Sequence, residues 1–585
     1  MSSRRAVFVV LGLIVVASTL SMLGLLAVTL SSPPAPSVPA NASVFLPIEA
    51  PFAEIEGTDV FSLMRRQPTL RDTLASIRKA KDDSRVTSLV IRPQAMGALW
   101  AQVQEVRAAL EEFRAAGKPL TAFIEAGASQ EYYLASAADR IVMMPAGQLD
   151  LTGVATYEIF LRGTLDKLGV YPDLLHIGDF KTASNTLTET SFTPAHREMT
   201  ASLNRDMYEQ LVRGVAEGRK KTAEEVRALI DQGPFLAEAA VKAGLIDGLA
   251  YLDQLDDKEK LPKDNGDWID TREYSGVSAS GLGLNKGPRI GVIYASGIIM
   301  SGESAFDPFS GQVLGSDTLI RHIRAARDDS SLEAIVLRVD SPGGSAVASD
   351  AIWRELVITR DEKPERPLVV SMSDLAASGG YYIAMAAPHI VAQPATLTGS
   401  IGIVAGKLVT GGTWGKLGAN IETVSEGRNA EIYSPARPFN DTERAALVAS
   451  LSSFYDQFVE KAARARDMSP EELNAIAQGR VWTGSQAKEI GLVDELGGLD
   501  RAIAVAKKQA GIPEDSEVQV VVYPPRRSVY EMLAQAMQLE SRHDLLAAAA
   551  LLPADERRAL GVITAPMRLF RRAEPLALMP YAFLK

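Results

Sequence analysis

Residues 377–394 read ASGGYYIAMAAPHIVAQP, and 249 positions upstream residues 128–145 read ASQEYYLASAADRIVMMP. Both stretches pass from a serine through a Tyr-Tyr pair and small residues to a short apolar run that ends in proline. The likeness extends outward on both sides. LRDTLASIRKAKDDSRVTSLVIR (70–92) matches GSDTLIRHIRAARDDSSLEAIVLR (315–338), and GTLDKLGVYPDLLHIGDFK (163–181) matches GTWGKLGANIETVSEGRNA (412–430), again at an offset of 249. GPFLAEAAVKAGLID (233–247) echoes GRVWTGSQAKEIGLVD (479–494) with one insertion. A period this long is a duplicated domain and not a solenoid repeat. The length of 585 residues agrees, because one hydrophobic core rarely absorbs that much chain.

Within each half, short apolar strands alternate with amphipathic helices. LEAIVLRVD (332–340) and RPLVVSMSD (366–374) have the composition of buried strands. In the N-terminal half Val103, Val106, Leu110 and Phe113 recur at helical spacing, and Gly117 closes that helix. Such alternation predicts α/β layers with largely parallel strands. The expected organisation is an N-terminal half over 51–253, a polar linker over 254–288, a C-terminal half over 289–510 and a tail over 511–585.

Ahead of these lie a stub (1–5), an uncharged run AVFVVLGLIVVASTLSMLGLLAVTL (6–30) and a Pro/Ser/Ala-rich spacer (31–50). At ~1.5 Å per residue the uncharged run can cross the ~30 Å hydrocarbon core of a bilayer. A cleaved signal peptide would have an apolar region of about 7–15 residues and a small-residue cleavage site. An uncleaved anchor is therefore expected, and Arg4 and Arg5 on the short side place the bulk of the chain across the membrane from the cytoplasm.

Charge and composition exclude several functions. A formal charge of -11 argues against nucleic acid as a partner. There is no cysteine, hence no thiol nucleophile, disulfide or thiolate metal site, and the five histidines are scattered without a ligand pattern. IGIVAGKL (401–408) is one residue short of a phosphate loop and has Leu408 where Ser or Thr is needed.

Glycine-rich turns gather in the C-terminal half. RVDSPGGSA (338–346) brings Gly343 and Gly344 to a strand-to-helix turn whose N–H groups can hold an oxyanion. Ser378 stands at a second such junction with the Gly379 N–H beside it, the setting of a nucleophile. LTGSIGI (397–403) carries Ser400. In the other copy Ser129 is followed by Gln130 and Glu131, and the SPGG turn is replaced by PQAMG (93–97), so that half looks catalytically incomplete. It nevertheless contains HIGDFKTAS (176–184), in which Lys181 aligns with Ala430. Complementary loss of this kind predicts one composite site across the halves. His389, eleven residues beyond Ser378, would be about 16 Å away along a helix, and its repeat counterpart is Arg140. His176 reads as a strand residue. Without the duplication, Lys181 would read as a surface lysine paired with Asp179.

SPGG, ASGGYYIA and TGSIG, with GDFKTAS in the first half, resemble the long form of the signal peptide peptidase A (protease IV) family over about residues 50–510. The resemblance implies tandem crotonase/ClpP-like domains behind a transmembrane helix, and a serine endopeptidase with a Ser–Lys dyad. It also implies action on cleaved signal peptides on the periplasmic side of a bacterial inner membrane, in a homo-oligomer, a tetramer in the long form. Carried over by motif, Ser378 is the nucleophile, Lys181 the general base, Ser400 the group that orients the lysine, and Gly343, Gly344 and Gly379 the oxyanion donors. Asp340 stands where related sequences often have Asn. No metal or organic cofactor is implied. A solvated lysine has a pKa of ~10.4, so Lys181 would need desolvation towards ~7 to act as a base. Two other readings are an acyl-CoA enzyme of the crotonase type and a non-catalytic membrane scaffold that binds peptides.

Overall fold

The computed structural model of the chain describes residues 36–55, 68–94, 96–97, 99–255, 268–307, 311–524, 575–579 and 583–584. The apolar run 6–30 lies outside them, and among the described residues no helix is long and apolar enough to cross a membrane.

Each half is built round a parallel sheet with helices on its faces. In the N-terminal half the strands lie in the order Gly248–Leu249, Arg140–Met143, Leu120–Ile124, Val86–Gln94, Ala42–Glu49 and Trp268–Asp270, every pair parallel. The C-terminal half repeats this with Leu368–Ala377, Leu332–Ser341, Arg289–Ser296 and Gln519–Tyr523. His389–Ala392 and Leu397–Gly399 both pair with Leu368–Ala377 in parallel. The apolar runs become strands because both faces are covered, as parallel sheets require. Helix Trp100–Ala115 buries Val103, Val106, Leu110 and Phe113, and Gly117, at φ 83°, follows its end.

Two boundaries differ from the expected ones. The segment read as a linker contains the strand Trp268–Asp270 and a short helix whose Tyr274 is buried in the N-terminal core. The sheet of the C-terminal half continues past residue 510, since Gln519–Tyr523 pairs with Arg289–Ser296. Both strands are too short to show a periodicity, so their pairing with distant partners reveals them.

A third sheet joins the halves. Tyr171–Ile177, from the N-terminal half, runs antiparallel to Ile403–Val409 with Ile177 opposite Ile403 and Tyr171 opposite Val409. The same sheet contains Gly343–Ser345, Ile298–Met300 and the C-terminal strand Leu576–Leu578. A buried polar cluster also locks the halves together. Arg338 donates to Glu54 (3.0 Å) and Glu105 (2.7 Å), and the Gln102 N–H donates to Asp374 (2.9 Å). Removing one partner of such a buried pair typically costs about 3–5 kcal/mol, because the other charge is left without compensation.

Candidate active site

Ser378 ends the strand Leu368–Ala377 and caps the helix Gly379–Ala384 with φ 57° and ψ -112°. That positive φ is costly for a residue with a Cβ, and the surroundings fix it. The Ser378 N–H donates to the Gly399 carbonyl (2.8 Å), and its own carbonyl accepts from the Tyr382 N–H (2.8 Å). The glycines that follow are required by close approach. A Cβ on Gly380 would lie 2.5 Å from the Ser341 carbonyl oxygen, and one on Gly379 would lie 2.6 Å from Ser349 Oγ.

Lys181 reaches the same point from the other half. The ladder between Tyr171–Ile177 and Ile403–Val409 delivers the loop after Ile177 to the turn that holds Ser400. Lys181 Nζ lies 2.7 Å from Ser378 Oγ, 2.9 Å from the Ser400 carbonyl oxygen and 3.0 Å from Ser400 Oγ. Lys181, Ser378 and Ser400 are each 0% exposed. Among the described residues no carboxylate pairs with the ammonium, and burial drives its pKa well below the ordinary lysine value. A neutral amine has two N–H donors and one lone pair. Two donations to Ser400 leave the lone pair facing the Ser378 hydroxyl, which is the arrangement of a base that accepts a serine proton.

The lysine loop is held by residues that sequence motifs did not single out. The Phe180 N–H donates to the Gln478 carbonyl (2.8 Å), and the Gly479 N–H donates to the Ile401 carbonyl (2.7 Å). Gly479 has φ 78°, and a Cβ there would come within 2.5 Å of Lys181 N, Cα and Cβ. The Arg480 guanidinium lies between the rings of Phe180 (4.7 Å) and Trp482 (4.5 Å). The signal available in the sequence was the run QGRVW (478–482), whose glycine only the close approach explains.

The other candidates are placed as follows. The Gly343 N–H donates to Ser341 Oγ (3.2 Å), whose own hydrogen goes to the Gly297 carbonyl (2.6 Å). Gly343 and Gly344 have φ of 99° and 153°, and a Cβ on Gly343 would lie 2.7 Å from Gly379 N, so the two glycine turns abut. Asp340 accepts from the Leu375 N–H (3.2 Å), and burial followed by the nearby Glu54 charge pushes its carboxyl up to about 7. His176 bonds the Gly178 carbonyl at 3.0 Å, and His389 pairs with Glu495 at 3.2 Å; neither has a contact to Ser378.

The N-terminal copy is filled in at the equivalent place. Ser129 Oγ donates to the Gly153 carbonyl (3.0 Å). Glu131 stands where Gly380 stands in the other copy, and its carboxylate accepts from the Met96 N–H (2.8 Å) and the Ala128 N–H (3.0 Å). An internal anion thus sits on the turn that corresponds to SPGG. At the same offset Ser400 corresponds to the core residue Leu151, and the counterpart of Lys181, Ala430, is exposed in a loop.

Comparison with known proteins agrees with this duplicated architecture. The profile of peptidase family S49 matches residues 112–264 and again 360–513. The chloroplastic serine protease SPPA of Arabidopsis thaliana is 36% identical over 455 residues, 76% of this chain and 66% of its own length. Protease 4 of Salmonella typhi is 35% identical over 507 residues, covering 83% of this chain and 80% of its own. Protease 4 of Haemophilus influenzae is 31% identical over 471 residues, covering 77% and 74% respectively. With both halves matched and the likeness running through most of the chain, it belongs to peptidase family S49, in the signal peptide peptidase A (protease 4) branch.

Proposed function

We propose that the chain is a membrane-anchored serine endopeptidase of ClpP-like fold that hydrolyses cleaved signal peptides and other apolar peptides with a Ser378–Lys181 dyad. The observation that carries this reading is the 2.7 Å contact between Lys181 Nζ and Ser378 Oγ, made by a buried lysine that pairs with no carboxylate among the described residues. Neutral Lys181 takes the Ser378 proton as Oγ attacks the scissile carbonyl carbon. The resulting ammonium gives that proton to the leaving amine, and an acyl-enzyme remains on Ser378. Water, deprotonated by Lys181 in the same way, then releases the acid and restores the serine. Ser400 holds the amine by its two remaining N–H bonds. The Gly379 N–H and the 343–344 turn stabilise the oxyanion.

Anchoring rests on the apolar run 6–30, with the catalytic part on the periplasmic side of a bacterial inner membrane. The repeat supports a homo-oligomer, a tetramer by family resemblance. Tyr171–Ile177 pairs with Ile403–Val409 inside the chain. Its copy, 420–426, forms no strand there, and that segment leaves Val424 99% exposed. On the other copy of the receiving strand, Thr156–Tyr157 pairs with Phe583–Leu584, and Tyr157 and Ile159 are 63% and 60% exposed.

Hydrolysis of a fluorogenic Leu/Ala-rich peptide by single variants tests the dyad. Lys181→Ala and Ser378→Ala are each expected to lower kcat by at least about 10²–10⁴-fold, and Ser129→Ala to leave it within about twofold. Near-normal turnover by Lys181→Ala would remove the dyad from the account.

A further inference from the structure

The segment 478–480 bonds the lysine loop on one side and the Ser400 turn on the other. The Gln478 carbonyl accepts from the Phe180 N–H (2.8 Å), and the Arg480 carbonyl accepts from the Ser400 N–H (2.7 Å). The Arg480 side chain repeats this bridge in a second layer. Its guanidinium lies over the ring of Phe180, the neighbour of Lys181, and over the ring of Trp482. Trp482 is fixed by its own Nε1–H, which donates to the Ile476 carbonyl (3.0 Å). It packs against the serine turn, since a Cβ on Gly399 would lie 2.9 Å from Trp482 Cδ1. The Gly399 carbonyl is the one that accepts from the Ser378 N–H. The stack Phe180–Arg480–Trp482 therefore runs from the residue beside Lys181 to the residue that holds the Ser378 backbone.

Two observations separate this stack from ordinary packing. Arg480 Nε is buried and makes no hydrogen bond among the described residues, and Arg480 Nη1 donates (2.7 Å) to a Glu198 carboxylate that is 60% exposed. An unpaired buried N–H costs stability and an exposed ion pair returns little, so what the guanidinium offers is its two flat faces. The second observation is the other copy of the fold. There Phe235 pairs with Leu149 as Trp482 pairs with Thr398, 249 positions after Leu149. In that register Gly233 stands where Arg480 stands, and Phe180 aligns with Asn429. The aromatic residue on the strand recurs in both copies, as packing would require. The arginine and the ring it shares with the lysine loop occur only where the lysine meets the serine.

We infer that Arg480 is a positioning residue of the dyad: its guanidinium, held between Phe180 and Trp482, keeps Lys181 against Ser378 by fixing Phe180. The inference rests on the peptidase reading, in which Lys181 is the base. Charge alone does not serve here. A lysine at this position has no planar face to lie between two rings, so the two cations are not interchangeable. Loss of the stack lets the lysine loop shift and water reach the amine. The shift slows proton transfer, and the water favours the charged form.

The test uses the full chain and two readouts: hydrolysis of a fluorogenic Leu/Ala-rich peptide, and fluorophosphonate labelling of Ser378 across pH. Arg480→Lys keeps the charge and should lower kcat by about tenfold or more with KM within about twofold, as misplacement of a catalytic group does. The pH of half-maximal labelling should rise, because a hydrated lysine stays charged to higher pH. Phe180→Leu removes the shared ring and should do the same, and it serves in place of Arg480→Lys if that chain does not fold. Phe180→Tyr keeps the ring and should restore both readouts. The double variant Arg480→Lys, Phe180→Leu should be no slower than the worse single one, since both break one stack. In a Lys181→Ala chain, Arg480→Lys should change the labelling rate by less than about twofold. An unchanged kcat and labelling midpoint in Arg480→Lys, or the same slowing with and without Lys181, would overturn the inference. Either result leaves the dyad standing, while labelling of Lys181→Ala at the unsubstituted rate would remove the dyad itself.

Discussion

In the proposed mechanism Lys181 acts as a base only because of where the fold puts it. The amine has lost water and pairs with no carboxylate among the described residues, so the neutral form is favoured, and the two N–H bonds of that form both go to Ser400. Ser400→Ala removes one of those acceptors and keeps the backbone carbonyl. Steady-state kinetics should show kcat falling by about fivefold with KM unchanged, the equivalent of one hydrogen bond of about 1 kcal/mol. Ser378 was legible in the sequence as a serine before two glycines at a strand end. Lys181 was legible only because its aligned residue in the other copy is Ala430. The three-way contact of the amine was not, since it depends on a loop conformation at Ser400, which has φ 51°.

At the scale of elements, the Lys181–Ser378 contact depends on one inter-half ladder and one glycine. The pairing of Tyr171–Ile177 with Ile403–Val409 carries the lysine across, and Gly479 lets the chain pass against the lysine backbone. Gly479→Ala puts a Cβ into that contact at a left-handed φ, which costs about 1–2 kcal/mol in the backbone before any clash. Thermal denaturation should show a lowered Tm, and kcat should drop by about tenfold or more, because misplacing a catalytic group by about 1 Å can cost 10²-fold. The strands and helices of the two parallel sheets followed from apolar runs and helical spacing. Trp268–Asp270, Gln519–Tyr523 and Leu576–Leu578 did not, because such short strands have no periodicity of their own and exist only by pairing with distant partners.

The whole molecule is a duplication in which the copies diverged in complementary ways. One copy holds the serine and glycine turns; the other holds the lysine, and its Glu131 carboxylate accepts from the Met96 N–H of the turn that replaces SPGG. The same logic predicts assembly. Val424→Asp, in the unpaired copy of the lysine-bearing strand, should shift the detergent-solubilised protein from an oligomer to a monomer in light scattering, whereas a monomeric unsubstituted chain would contradict the oligomer. The tandem organisation was readable in the sequence at long range, but the buried Glu54–Arg338–Glu105 cluster that fastens the halves was not, since each charge taken singly reads as surface. The central claim is that Lys181, from one half, activates Ser378, from the other. It is tested most directly by the rate at which a fluorophosphonate labels Ser378, measured by mass spectrometry across pH. Neutral lysine is the reactive partner, so labelling should rise with pH through one ionisation lying well below that of an ordinary lysine, and fall away as acid charges the amine. Lys181→Ala should lose that pH dependence and label at least about 10²-fold more slowly, with Ser129 unlabelled in both. Labelling of Ser378 in Lys181→Ala at the unsubstituted rate and with the same pH profile would contradict the account.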